Sequence, residues 1–284
     1  MSKQPVRNRA VLRFDAETSP SAHQRDDLLV VEEPLEIRLQ FGTHAEDRRE
    51  IRLATTMRTP GHDHELVVGL LYSEGIIQQF DDILMAYHCS SVDAGAEENV
   101  MKVLLKAGVE PNIQFSKQRF MSTSSCGICG KVLIDRLLSI PSSSLREDYC
   151  INAEAILGFE SKIRAAQTLF KHTGGLHACS LFSTKGELVY LREDIGRHNA
   201  LDKLIGTLLC KHEEKNNAYI LHLSGRAGYE MIQKAARAGI QMVLAIGAPS
   251  SLAVDLAEKA GITLIGFLRK SSFNIYTHPQ RIIT

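Results

Sequence analysis

The stretch YILHLSGRAGYEMIQKAARAGIQMVLAIGAPSSLAVDLAEKAGITLIGF, residues 219–267, decides the fold. Short apolar runs at Tyr219–Leu223, Met242–Ile246 and Thr263–Phe267 have the length of buried strands, and longer segments between them carry apolar residues at helical spacing. Those segments predict helices over Tyr229–Ala238 and Leu252–Ala260. Gly239 and Gly261 each stop a helix just before a strand, as a residue with access to the left-handed region does. Upstream, strands are expected at His177–Phe182 and Glu187–Arg192 around a turn at Lys185-Gly186, followed by a helix over Ala200–Cys210. A hairpin feeding a βαβαβ series implies an α/β domain with a mostly parallel sheet and helices on both faces.

Moving outward, Pro141-Ser142-Ser143-Ser144 is read as a linker, and one long helix is expected from Asn152 to Lys171, ended by Thr173-Gly174-Gly175. In the N-terminal part, strand alternation through Leu35, Ile37, Leu39 and Phe41 is followed by the strand-like REIRLATTM. Thr59-Pro60-Gly61 breaks the pattern. A helix then starts near Asp63, with Leu66, Val67, Leu70 and Leu71 on one side, and strands follow near Ile83–His88 and Val100–Leu105. These define a smaller α+β unit. The resulting division is a flexible arm at 1–27, an α+β domain at 28–121, a cysteine loop, helix and linker at 122–150, and an α/β domain at 151–284.

Composition narrows the functional classes. The chain has 284 residues, 44% hydrophobic and 23% charged, with 33 basic and 33 acidic side chains. Zero formal charge argues against a nucleic-acid or membrane-surface protein. Six cysteines, widely scattered, do not form a secreted disulfide framework. No apolar run is long enough for a membrane span or a signal peptide, so a cytoplasmic location is expected.

In sheets of this kind ligands bind beyond the carboxyl ends of the strands. The segments leaving those ends are Glu193–Asn199, Ser224-Gly225-Arg226, Gly247–Ser251 and Phe267–Ser272. Parallel strands would set them along one rim carrying Arg197, Arg226, Arg269 and Lys270 beside helix N-termini. Guanidinium forks and open N–H groups suit phosphate or diphosphate. Phe267 is placed to stack on a ring, and Asp194 or Asp202 to orient the cations or a base edge. The bland alternative has Arg197 and Arg226 paired with Glu193 and Glu230 at the surface. His222, in an apolar strand, reads as a hydrogen-bonded structural histidine; Cys89, Cys150, Cys179 and Cys210 read as small buried hydrophobes, and Tyr72, Met231 and Met242 as core.

Ser122–Lys131 holds the other chemistry: Cys126 and Cys129 sit three apart, each followed by glycine, at the expected N-terminus of a helix containing Leu133, Ile134, Leu137 and Leu138. Helix N-termini favour thiolates, the form that attacks sulfur. A zinc site would need about four ligands, and no second pair accompanies this one. A thioredoxin-like pair would follow an apolar strand, whereas Met121–Ser125 is polar. Sulfur handling by a mobile nucleophile is the leading reading, with a thiol–disulfide oxidoreductase left open.

Taken together, T-P-G-x-D-x-E-L-x-x-G-L-L-x-S-E-G-I-I (Thr59–Ile77), S-S-C-G-x-C-G-K (Ser124–Lys131) and T-G-G-x-H-A (Thr173–Ala178) resemble the formate dehydrogenase accessory sulfurtransferase family. So do Glu193–Gly206, Ser224–Arg226, Ala248–Val254, Gly261–Phe267 and Tyr276–Arg281, a likeness running from about Leu28 to the C-terminus. The resemblance implies a sulfurtransferase that takes sulfane sulfur from a cysteine desulfurase as a persulfide on Cys126, with Cys129 its neighbour. It implies delivery to the metal of bis(molybdopterin guanine dinucleotide) for insertion into apo formate dehydrogenase, with guanosine diphosphate as a mimic of the cofactor. The family's cofactor segment falls on Phe267, Leu268, Arg269, Lys270, Ser271 and Ser272; departures at Leu268 and Lys270–Ser272 imply backbone contacts there. A cytidine-deaminase-like three-layer α/β/α C-terminal domain and a homodimer are further implications. The deaminase zinc set is missing, so no intrinsic metal is expected. The alternative function is a chaperone that binds the molybdenum cofactor without sulfur transfer.

Overall fold

The computed structural model describes residues 4–16, 19–44, 46–90, 97–113, 150–213 and 218–284. The Cys126–Cys129 loop, its expected helix and the Pro141–Ser144 linker lie outside the described residues.

The expected irregular N-terminal arm is a hairpin of β1 (Val6–Asp15) and β2 (Ser19–Val30), registered from Val6↔Val30 to Asp15↔Ser19. It escaped a pattern reading because much of it faces water: Leu12 is 75% and Phe14 64% exposed, so no period-2 burial marks the strands. A four-stranded sheet follows from β3 (Glu33–Phe41), β4 (Arg49–Arg58), β5 (Ile83–His88) and β6 (Val100–Leu105), in the order β4-β3-β6-β5. Its inward residues Leu35, Ile37, Leu39, Met101 and Val103 are at most 1% exposed. Burying each contributes about 1.5–3 kcal/mol. Helix α1 (Asp63–Ser73) packs on β6 and on α5 (Arg197–Cys210). With neighbours on two sides it buries Leu66, Val67, Val68, Leu70 and Leu71.

The second sheet has six strands. β8 (His177–Ser183) and β9 (Leu188–Asp194) form an antiparallel hairpin, and β10 (Tyr219–Leu223) pairs antiparallel with β8. β11 (Met242–Ala245) and β12 (Thr263–Gly266) continue parallel to β10, and β13 (Asn274–Ile275) closes the edge antiparallel. Alternate residues of these strands enter different cores. Leu221, Leu223, Val243 and Leu264 join the cluster with α5, α6 (Tyr229–Arg237) and α7 (Ser251–Lys259). Ile220, Met242, Leu244 and Ile265 join Ile156, Phe159 and Ile163 on the opposite face.

The long helix expected over Asn152–Lys171 is broken into α2 (Ala153–Leu157), α3 (Phe159–Ala166) and α4 (Thr168–Thr173). Gly158 interrupts the first junction, and Gln167 leaves the helical region at ψ 90 at the second. Gly174, at φ 66, then ends α4 as expected. The short strands β7 (Ile151–Asn152) and β14 (Ile282–Ile283) pair in parallel and tie the last residues to the start of this domain. Cys89 and Cys179 are buried, but Cys210 is only partly covered and Cys150 is exposed, contrary to the expectation of four buried thiols. Among the described residues, no helix is long and apolar enough to cross a membrane.

Candidate ligand-binding rim

The strand directions bring the four expected segments together. β9 and β10 both run antiparallel to β8, and β10, β11 and β12 are mutually parallel. The carboxyl ends of β9, β10, β11 and β12 therefore share one edge of the sheet, and α5, α6 and α7 start from that same edge. Arg197 begins α5, Arg226 lies on the exposed loop after β10, and Phe267–Ser272 follow β12. Each helix start presents N–H groups without intrahelical partners; of the first-turn groups, the Ala253 N–H donates to the Ser250 side chain and the Met231 N–H to Gly228 O.

The arginines are not held by the carboxylates nearest to them in sequence. Glu193 accepts the backbone N–H groups of Leu169 and Phe170, and Glu230 pairs with His198 at 2.9 Å. Neither Arg197 nor Arg226 makes a side-chain hydrogen bond or ion pair within the described residues. Gly247 lets the next loop close on Arg226: a Cβ there would lie 2.8 Å from Arg226 Cγ and 3.0 Å from its Cα.

The Phe267–Ser272 segment is a tight turn built on backbone bonds. The Phe267 N–H donates to Gly247 O at 3.2 Å, that of Leu268 to Ala245 O at 3.1 Å, and that of Arg269 to Ser272 O at 2.8 Å. Phe267 sits at φ 52 and is 41% exposed. A bulky residue held in the left-handed region and turned to solvent is a strained arrangement of the kind that clusters at ligand sites. Leu268 points the other way, 2% exposed in the second core, so its side chain is an anchor and only its backbone reaches the rim. Arg269 Nη1 donates to Ile246 O at 2.6 Å and Leu268 O at 2.9 Å, which staples the turn and leaves only part of the guanidinium for a ligand. Lys270, Ser271 and Ser272 are exposed.

Asp194 and Asp202 do not orient these cations. Asp194 is fully buried and pairs with Lys203 at 2.8 Å, while Lys203 also donates to Thr59 O. Asp202 pairs with Lys234 at 2.8 Å and accepts from Ser73 Oγ under α1. Burial pushes the Asp202 carboxyl up, and the Lys234 ammonium opposes it. Much of the Glu193–Gly206 motif thus fastens the two sheets together.

One residue not assigned to the rim from the sequence stands in the middle of it. His177 opens β8, which runs between β10 and β9, and its Nδ1 lies 3.4 Å from Ser224 Oγ. The signal was T-G-G-x-H-A itself. A search for carboxyl ends of parallel strands overlooks the amino end of an antiparallel strand beside them.

The profile of the FdhD/NarQ family matches residues 30–283. A protein named sulfur carrier protein FdhD from Sulfurisphaera tokodaii is 45% identical over 258 residues, 91% of this chain and 92% of its own. One of the same name from Saccharolobus solfataricus is 42% identical over 274 residues, 96% and 98% of the two chains. A crystal structure described as a candidate formate dehydrogenase accessory protein from Desulfotalea psychrophila superposes with a TM-score of 0.71 at 22% identity, covering 99% of this chain and 100% of that one. The fold is shared across that distance, and the chain belongs to the FdhD/NarQ family.

Proposed function

We propose that this protein is a cytoplasmic, homodimeric sulfurtransferase that carries sulfur to the molybdenum cofactor of formate dehydrogenase. Cys126 is the carrier. Its thiolate attacks the terminal sulfur of a persulfide on a cysteine desulfurase, forming a new S–S bond as the desulfurase thiolate leaves. Delivery to the metal of bis(molybdopterin guanine dinucleotide), for which sulfur is a favoured soft ligand, would break the S–S bond and release Cys126 as thiolate, with the two electrons that convert sulfane sulfur to a sulfido ligand supplied by the reduced metal. Cys129 follows the carrier three residues later in the sequence, and the loaded cofactor goes to apo formate dehydrogenase. The names of the relatives support the sulfur-carrying part of this reading.

The docking part is supported by one observation: four strand ends meet at one edge, with Arg197 and Arg226 unpaired among the described residues and Phe267 held outward. On this reading the guanine nucleotide arms lie along the edge, with phosphates on Arg197, Arg226, Lys270 and the helix starts, and a ring against Phe267. The cytidine-deaminase-like arrangement belongs to the same proposal and is supported by the hairpin-plus-parallel-strand order of the six-stranded sheet.

Calorimetric titration with guanosine diphosphate tests the docking. Arg226→Ala with Lys270→Ala is expected to weaken binding by about tenfold or more, since each charge-assisted hydrogen bond contributes about 1.5–3 kcal/mol. Unchanged affinity in the double variant would remove the rim from the mechanism.

A further inference from the structure

His177 occupies the centre of the rim, between the loop carrying Ser224 to Arg226 and the start of α5. Among the described residues its Nδ1 has one polar neighbour, the Ser224 hydroxyl. Ser224 Oγ accepts the Ala178 N–H at 2.9 Å and lies 3.4 Å from His177 Nδ1. One lone pair is taken by the backbone, which leaves the hydroxyl proton and a second lone pair for Nδ1: the neutral ring carries its proton on Nε2 when Oγ donates and on Nδ1 when Oγ accepts. Gly225 lies against this edge of the imidazole: a Cβ there would be 3.5 Å from Cε1 and Nδ1, an ordinary contact.

The charges around the ring come from each element packed on it. Arg197 and His198 stand at the start of α5; His198 is paired with Glu230 of α6, and Asp194 at the end of β9 is paired with Lys203. Arg226 follows on the loop after β10. Burial first, then Arg197 and His198, push the His177 pKa below its ordinary value, and Asp194 opposes them. An anion placed between the two arginines reverses that field.

We propose that His177 is the proton-coupled contact of this rim, donating from Nε2 to the diphosphate of a guanine nucleotide and taking up a proton to become an imidazolium as that diphosphate docks. The proton comes from solvent. The second lone pair of Ser224 Oγ accepts from Nδ1, so the imidazolium keeps its partner. The inference rests on the reading of the rim as a nucleotide site. The same diphosphate chemistry belongs to the free nucleotide and to the nucleotide arm of the pterin cofactor.

Titration of the full chain with guanosine diphosphate, in buffers of low and high ionisation enthalpy, counts the protons taken up. Wild type is expected to take up more protons than His177→Gln, by up to about one, and its affinity to fall by up to about tenfold per pH unit as pH rises through the bound-state pKa. Guanosine, which lacks phosphates, should show neither effect. Imidazole nitrogen NMR of wild type supplies a readout that needs no variant: a neutral ring in the free chain and an imidazolium after nucleotide addition. Equal proton uptake in wild type and variant, or an unchanged His177 resonance, overturns the inference while leaving the rim intact. Absence of any guanosine diphosphate binding to wild type overturns the rim reading itself, and this inference with it.

Discussion

Gly69 and Gly206 form a reciprocal contact between α1 and α5. A Cβ on Gly69 would lie 1.8 Å from the Asp202 carbonyl oxygen, and one on Gly206 would lie 1.8 Å from that of Glu65. Each helix therefore rests on the bare backbone of the other. This crossing fastens the four-stranded unit to the domain that carries the rim.

Alanine at either glycine cannot be accommodated without parting the helices. In an ordinary helix interior Gly→Ala stabilises by about 1 kcal/mol. Here the sign reverses: Gly69→Ala or Gly206→Ala is expected to cost about 3 kcal/mol, the upper range for overpacked cores. Urea denaturation measures it, and an unchanged or raised midpoint would contradict the close approach.

Lys203 is a second fastening. Its ammonium lies 2.8 Å from Asp194 and also donates to Thr59 O, while Asn199 Nδ2 donates to Met57 O at 2.7 Å. Lys203→Met leaves a fully buried carboxylate without its counter-ion. Such a loss costs about 3–5 kcal/mol. Chemical denaturation of Lys203→Met should show it, and a loss below the range for surface changes would mean the pair is exposed in solution.

His222 predicts an acid-dependent loss of stability. It is fully buried in β10, opposite Ser180 in the register, and among the described residues neither ring nitrogen nor Ser180 Oγ has a hydrogen-bond partner. Burial pushes its pKa from 6.5 down to about 4. The unfolded chain therefore binds the proton more readily than the folded one. Stability from this group is complete above about pH 6.5 and is lost as pH falls towards about 4. The shift corresponds to about 3 kcal/mol. Comparing wild type with His222→Leu across that window should show the difference, and parallel profiles would contradict a neutral buried imidazole.

Much of this architecture was legible because the buried strands are short apolar runs bounded by glycines and helical periods. The Tyr219–Phe267 stretch names the strands at the heart of the sheet, and its carboxyl-end logic brings Arg197, Arg226 and Phe267 to one edge. Other parts were hidden for physical reasons. The β1–β2 hairpin lacks a buried face, so its residues carry no period. Leu268 and Asp194 sit within functional-looking motifs, yet burial and pairing make one a core anchor and the other a clasp. His222 was expected to be hydrogen-bonded, and among the described residues its ring has no partner; that could not be read from an apolar strand, because hydrogen bonding depends on what packs across it.

Sulfur loading tests the central claim most directly. The full chain is incubated with a cysteine desulfurase and cysteine, digested without reductant, and the peptides are weighed. The account predicts one added sulfur atom on the peptide carrying Cys126, retained in Cys129→Ala and lost in Cys126→Ala. Added sulfur on another cysteine would contradict it, and none at all would leave a cofactor-binding chaperone in its place.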